Sequence, residues 1–160
     1  DCNVGLVEQP TPKGDFQALA RVRREAGVRI LADDICFNLT DAQELIHNQC
    51  CDAISVYPGK NGGIIRSRQI VDLAAEHGIP CSIGSNLEYD VATAAMGHLV
   101  VSHPNMKVEE IPGDLLGPDY HQQSVAINPI AIEGPLTTLN QTPGLGVQLD
   151  WESLRNQCDQ

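Results

Sequence analysis

The chain has 160 residues, 42% of them apolar and 19% charged, which is material for one domain with a real core and argues against disorder. Its formal net charge of −11 would repel a phosphate backbone or an anionic lipid surface, which argues against nucleic acid and membrane partners. No apolar run approaches the roughly 18 to 20 residues of a membrane span. The opening Asp1-Cys2-Asn3-Val4 carries no signal-peptide pattern and leads straight into a strand-like segment, as a chain does when it begins within a domain.

Strand-length apolar runs recur along the first two thirds of the chain. Val4-Gly5-Leu6-Val7 is the first. The segment from Phe16 to Ala26 then places Phe16, Leu19, Ala20 and Val22 on one helical face. Val28-Arg29-Ile30-Leu31 is the second strand, followed by a helix over Asp41 to Cys50 that opens with the capping-box spacing of Thr40 and Gln43. Ala53-Ile54-Ser55-Val56-Tyr57 is the third strand. A helix from Ile64 to His77 carries Ile70, Leu73 and Ala74 and stops at Gly78. Cys81-Ser82-Ile83 is the fourth strand, Val91 to Ser102 the next helix, and Met106-Lys107-Val108 a weak fifth strand. From Ile111 onward glycine and proline punctuate an irregular tail. Ile130-Ala131-Ile132 and Val147-Gln148-Leu149 are expected there as short strands, with a helical turn from Trp151 to Arg155.

Strand starts repeat roughly every 25 residues, the length of a β-loop-α-loop unit. With aromatics at 4%, the core falls to Val, Ile, Leu and Ala, as in a buried parallel sheet with helices outside it. An open doubly wound sheet and a (β/α) barrel both satisfy this pattern. Acidic residues at the strand ends favour the barrel. Five strands cannot close a barrel of eight, so open sheet edges are expected, and with them association of the chain.

In parallel βα units the functional face lies at the C-terminal ends of the strands. Those ends read Glu8-Gln9-Pro10, Asp33-Asp34, Tyr57 with Lys60, Asn86 with Glu88, and Glu109-Glu110. Glu8 and Asp33 follow equivalent apolar runs on strands about 4.8 Å apart. Two carboxylates that close raise each other's pKa unless a cation lies between them, and Mg2+ is the natural hard resident. A surface salt bridge is the bland alternative for either acid alone. The six cysteines, Cys2, Cys36, Cys50, Cys51, Cys81 and Cys158, follow no metal spacing and read as reduced, mostly buried residues of a cytoplasmic protein. His98 reads as a packed residue, His47 and His77 as helix-surface residues, His103 as part of a turn and His121 as part of the tail. None has metal spacing.

Several motifs in order resemble one family. Leu6-Val7-Glu8-Gln9-Pro10, Ala32-Asp33-Asp34, Lys60-Asn61-Gly62-Gly63-Ile64, Leu87-Glu88, Asp114-Leu115-Leu116-Gly117-Pro118 and Pro143-Gly144-Leu145-Gly146-Val147 are similar to elements of the muconate-lactonizing and mandelate-racemase branch of the enolase superfamily. The resemblance implies an α/β fold, a partial (β/α)7β barrel holding strands four to eight. Residues 1–110 would be the C-terminal half of the barrel. Residues 111–160 would be a tail that completes it and packs on a capping domain. It further implies Glu8 and Asp33 as metal ligands for Mg2+, with the first aspartate ligand and a Lys-x-Lys base upstream of Asp1.

Asp34 stands where the family has a glutamate and would contact substrate. Tyr57 stands where a catalytic lysine is usual, which puts racemisation in doubt. Tyr57 could donate a proton if the metal lowers its phenol, Lys60 could swing into the site, or one-sided chemistry could suffice. Packing of Tyr57 with a solvated Lys60 is the structural alternative. Glu88 is either a substrate-bonding acid or a charge at the next helix start, and Asn86 is a polar pocket contact. The implied activity is Mg2+-dependent removal of a proton α to a carboxylate, then elimination, cycloisomerisation or epimerisation of a small carboxylic acid by a lyase or isomerase. A full-length homo-oligomer is expected. A non-catalytic assembly role is the alternative from another class, and a phosphate-binding barrel with a cradle at Ile83-Gly84-Ser85-Asn86 is a minor one.

Overall fold

The computed structural model describes residues 2–158; the side chain of Cys158 lies outside what it describes. Four short strands, β1 (Leu6–Glu8), β2 (Arg29–Ala32), β3 (Ala53–Val56) and β4 (Cys81–Ile83), form one sheet in the order β1-β2-β3-β4. Every neighbouring pair is parallel. Helices α1 (Phe16–Glu25) and α2 (Leu39–His47) make the first two crossovers. The third uses a single turn, α3 (Pro58–Asn61), followed by α4 (Ile64–Glu76), and α5 (Asp90–Ser102) follows β4. The arrangement is a partial α/β barrel: neighbouring strands stay neighbours in sequence, as repeated βα units dictate.

Side chains alternate across the sheet, and the register decides which go where. Glu8 pairs with Leu31, Leu31 with Ala53, and Ser55 with Ser82. One face therefore carries Leu6, Leu31 and Ala53, packed with Ile111 as a small cluster. The opposite face carries Ile30, Ala32, Ile54, Val56, Cys81 and Ile83, which pack with Leu19, Leu45, Ile70, Val71 and Leu99 of the helices in the main core. Helix α2 starts two residues earlier than its sequence suggests. Asn38 and Asp41 form the capping box in place of Thr40 and Gln43, because the Asn38 carboxamide accepts from Asp41 N–H while Asp41 accepts from Asn38 N–H.

The expected fifth strand is reduced to one parallel bridge, Cys81 to Met106, flanked by Cys81 N–H to Asn105 O and Lys107 N–H to Cys81 O. The chain turns away at once, with Ile111 N–H returning to Lys107 O. Beyond it, a 3-10 turn (Gly117–Tyr120) precedes a two-stranded antiparallel hairpin, β5 (Ala131–Glu133) with β6 (Leu136–Thr138). Only Ala131 and Ile132 of the expected Ile130–Ile132 strand lie in it, and the Gly134 turn that creates its partner has φ +60°. Val147–Leu149 is no strand; Leu149 makes a single bridge to Ala126. The final helix, α6 (Trp151–Cys158), is longer than the expected turn.

Among the described residues Cys36, Cys50, Cys51 and Cys81 are buried free thiols and Cys2 is an exposed one, in keeping with a reduced, mostly buried set. Burial raises the Cys36 thiol to about 12, far from a reactive thiolate. Among the described residues no helix is long and apolar enough to cross a membrane.

Candidate functional site at the strand tips

The register places Glu8 and Asp33 on one face, since Asp33 lies two residues beyond Leu31, the partner of Glu8. Gln9 fixes this junction. Its backbone sits in the left-handed region at φ 39°, its N–H donates to Leu31 O at 2.9 Å, and its Oε1 accepts from Asp33 N–H at 3.0 Å. Partial burial and the Asp33 carboxylate beside it raise the pKa of Glu8. The two carboxyl groups therefore share one volume.

Lys60 is the third member. Turn α3 brings its ammonium back under the strand ends, where only 2% of the side chain is exposed. Its Nζ donates to Asp33 Oδ1 at 2.6 Å and to the carbonyls of Asp33 and Ser55, each at 2.9 Å. All three donors of the ammonium are thus used. The cation also stands 4.6 Å from the Tyr57 ring centre. Lys60 is therefore not solvated. Gly62 (φ +81°) and Gly63 (φ +106°) then turn the chain from α3 into α4. Asn61, 2% exposed, holds the turn: it accepts from Tyr57 N–H and donates to Cys36 O and Phe37 O.

Tyr57 is 3% exposed, and its ring packs on Gly84, where a methyl group would lie 2.7 Å from ring carbons. That contact forbids a side chain at Gly84 and fills the place where a phosphate cradle would open. Burial first, then the Asp33, Asp34 and Glu88 charges, push the phenol well above its ordinary value. In the protein's own field the phenol is thus raised and not lowered, so it stays protonated and can donate a hydrogen bond. Its Oη lies 3.5 Å from Asn86 Oδ1.

Glu88 occupies the tip of β4. Its Oε2 accepts from Ser85 Oγ at 2.7 Å and from Asn86 N–H at 2.9 Å. Its Oε1 is buried without a partner among the described residues, facing the backbone of Gly59 beside Tyr57. Asp34 sits at the rim and pairs with Lys13 Nζ at 2.6 Å. Glu109 and Glu110 are exposed and lie outside this group. His98 bonds to Leu145 O and His103 to Asp72, both away from the tips. Sequence reasoning gave no role to Lys13, met Asn61 only within the Lys60–Ile64 motif and met Ser85 only within the phosphate-cradle alternative. Their contacts depend on loop geometry that spacing does not encode.

Among the described residues no three His, Cys, Asp or Glu side chains gather as a metal centre. The donor chemistry nevertheless fits a hard divalent cation. Two carboxylates meet, burial and mutual charge raise one of them, and Lys60 engages a single oxygen of the other. Two such ligands would leave the ion largely hydrated.

A partial barrel of parallel βα units with converging acids and a buried lysine at its strand tips defines a class: barrels with a polar site at the C-terminal face. The chain belongs to the Enolase C-terminal domain-like family, which matches residues 1–153, within the mandelate-racemase and muconate-lactonizing branch of the enolase superfamily. It is 34% identical over 153 residues to a chloromuconate cycloisomerase of Pseudomonas putida, covering 96% of this chain and 40% of that protein. The crystal structure of 2-chloromuconate cycloisomerase from Rhodococcus opacus 1CP superposes with a TM-score of 0.89 at 28% identity, over 96% of this chain and 41% of that one. N-succinyl Arg/Lys racemase from Bacillus cereus ATCC 14579 gives 0.89 at 25% identity, over 96% and 40%. The chain spans about two fifths of the length of these relatives.

Proposed function

We propose that the chain supplies half of the site of an enzyme that removes the proton α to the carboxylate of a small acid, and then eliminates, cycloisomerises or epimerises it. The observation that carries the reading is the meeting of Glu8, Asp33 and Lys60 at adjacent parallel strand tips. The four strands and the Met106 bridge take the places of barrel strands four to eight, and residues 111–160 form the tail that completes the barrel and packs on a cap. Glu8 and Asp33 are the ligands for Mg2+, which when bound supplies positive charge where the substrate carboxylate becomes negative. The 160 residues contain no Lys-x-Lys pair, so the base is supplied by the remainder of the protein.

Within this chain Lys60 holds Asp33 in one orientation and offsets part of the acidic charge, which preorganises the site before a cation enters. Glu88, with one oxygen held by Ser85 and Asn86 and the other without a partner among the described residues, is the acid that hydrogen-bonds substrate. Asn86 and Asp34 line the pocket, and Lys13 fixes Asp34. Tyr57, protonated and buried, stands as a hydrogen-bond donor where racemisation would need a second base. Elimination or cycloisomerisation therefore fits better than racemisation, and the cycloisomerase relatives support the same choice.

The test is Mg2+-dependent exchange of α-protons with deuterated water by the full-length protein, over a panel of small carboxylic acids, beside calorimetric Mg2+ titration. Exchange that vanishes in Asp33→Asn, with site-specific Mg2+ binding lost in the same variant, is the expected result. Full-length protein that neither binds Mg2+ nor exchanges any α-proton would instead leave a structural or assembly role.

A further inference from the structure

The loop after β4 is held by the tail, and one tail side chain grips it at its strained point. Leu87 has φ +61°, a left-handed conformation that a branched apolar residue adopts only when its surroundings impose it. On one side Ser85 Oγ accepts from Leu87 N–H at 2.8 Å. On the other, His121 Nε2 meets Leu87 O at 2.7 Å. A carbonyl only accepts, so the Nε2 proton points at it and fixes the tautomer. The imidazole is itself held flat, stacked on Tyr89 at 3.6 Å between ring centres and 14° between planes. Tyr89 Oη donates to Gln157 Oε1 at 2.6 Å, tying the same stack to α6.

The neighbouring contacts converge on the next residue. Gly117 lies so close to the Glu88 backbone that a methyl group there would stand 2.2 Å from Glu88 O. Thr93 Oγ1 donates to the same carbonyl at 3.1 Å. The strained Leu87 lies between Asn86, whose N–H donates to Glu88 Oε2, and Glu88 itself, whose Oε1 is buried without a partner among the described residues. A buried carboxylate oxygen without a donor is costly and would rotate toward one if the backbone allowed. The grip on Leu87 O is what denies it that freedom.

We propose that His121 is a positioning residue that locks Leu87 in its left-handed conformation and so holds the Glu88 carboxylate aimed beside Tyr57; its catalytic consequence rests on the function proposed above. The test compares three substitutions in the full-length protein. His121→Phe keeps the stack on Tyr89 and removes the donor. His121→Gln keeps a donor near the position of Nε2. Each is made alone and together with Glu88→Gln. The expected result is that His121→Phe lowers kcat for α-proton exchange about tenfold, the worth of one lost hydrogen bond at the upper end of its usual range. KM changes less than about twofold, His121→Gln recovers most of the loss, and His121→Phe adds nothing in the Glu88→Gln background. Equal losses from His121→Phe in both backgrounds, or no loss in either, would overturn the proposal. If the unaltered protein shows no exchange at all, the proposed function fails by itself. The lock is then read from amide hydrogen exchange over residues 85–89, which His121→Phe accelerates and His121→Gln does not; unchanged protection in His121→Phe would refute it.

Discussion

The βα repeat and the tail are stabilised in different ways. In the repeat, backbone groups pair strand to strand and the side chains alternate between the helix-facing core and the face that bears the site. In the tail, individual polar side chains do that work. Asn128 Nδ2 donates to Gly146 O and its Oδ1 accepts from Gln148 N–H, Asn140 Nδ2 donates to Asn128 O, and Ser124 Oγ donates to the buried Asp90. The repeat can lose one contact and keep its pattern. Tail bends are held by such side chains beside a few backbone pairs, among them the β5–β6 hairpin and Ile127 N–H to Gln148 O, and the tail in turn packs on the Glu88 loop. The difference teaches that the regular half places the acids, while the irregular half packs against the loop that carries one of them.

Lys60 joins two strand tips and offers the most forceful way to break that comparison. Lys60→Met leaves Asp33 without its cation at a site where the two side chains are 2% and 18% exposed, so a loss of about 3 kcal/mol is expected in the unfolding free energy measured by denaturant titration. A fall that small surface pairs would give, well under 1 kcal/mol, would mean that Asp33 relaxes to solvent and that Lys60 does not organise the site. A smaller effect is expected from Asn128→Ala, which removes one of the two side-chain donors to the Gly146 carbonyl, Thr142 Oγ1 keeping the other, and releases the exposed Gln148 amide to water, at a cost of about 1 kcal/mol. Its sharper signature is local: amide exchange should quicken over residues 124–149 while β1 to β4 stay protected. Uniform acceleration across both regions would show that repeat and tail open as one unit.

The smallest effect is a pH dependence confined to α6. Asp150 is partly exposed, and its pKa is lowered from the ordinary 3.8 chiefly by hydrogen bonds from Ser153 N–H and Oγ, with Glu152 N–H adding to them. A carboxylate whose folded pKa is depressed contributes stability above its unfolded value and loses it as pH falls through the folded one. Helix α6 should therefore fray as pH drops below 3.8. Asp150→Asn, which still caps but cannot ionise, should remove that dependence in circular dichroism or amide exchange. An identical acid profile in both proteins would refute the cap.

Much of the repeat was legible because its physics is periodic. Apolar runs at Ile30-Leu31 and Ile54-Val56, separated by helix-period segments, leave few alternatives to a parallel βα sheet. The fifth strand was overread. Met106-Lys107-Val108 has strand composition, but after one bridge the chain turns, and composition does not encode where pairing stops. The Asn38 cap was missed since Asn38-Asp41 and Thr40-Gln43 are both capping spacings, and the two differ by only two residues at the start of α2, which packs on α4. In the tail, Leu136–Thr138 looked like loop because its partner lies across a Gly134-Pro135 turn and its side chains are largely exposed.

The acids at the strand tips were determined by the sequence alone, since a residue just past a buried parallel strand must emerge at one end of the sheet. Only tertiary structure decided what each tip residue meets. Lys60 could have reached solvent, yet one helical turn returns it to Asp33. Tyr57 follows a strand end, yet only packing buries it among three carboxylates, which raise its phenol in the protein's own field. His121, far along the chain, bears on Leu87 through an aromatic stack that no spacing announces. Local patterns encode direction and periodicity, whereas distance between residues remote in sequence exists only once the chain has packed.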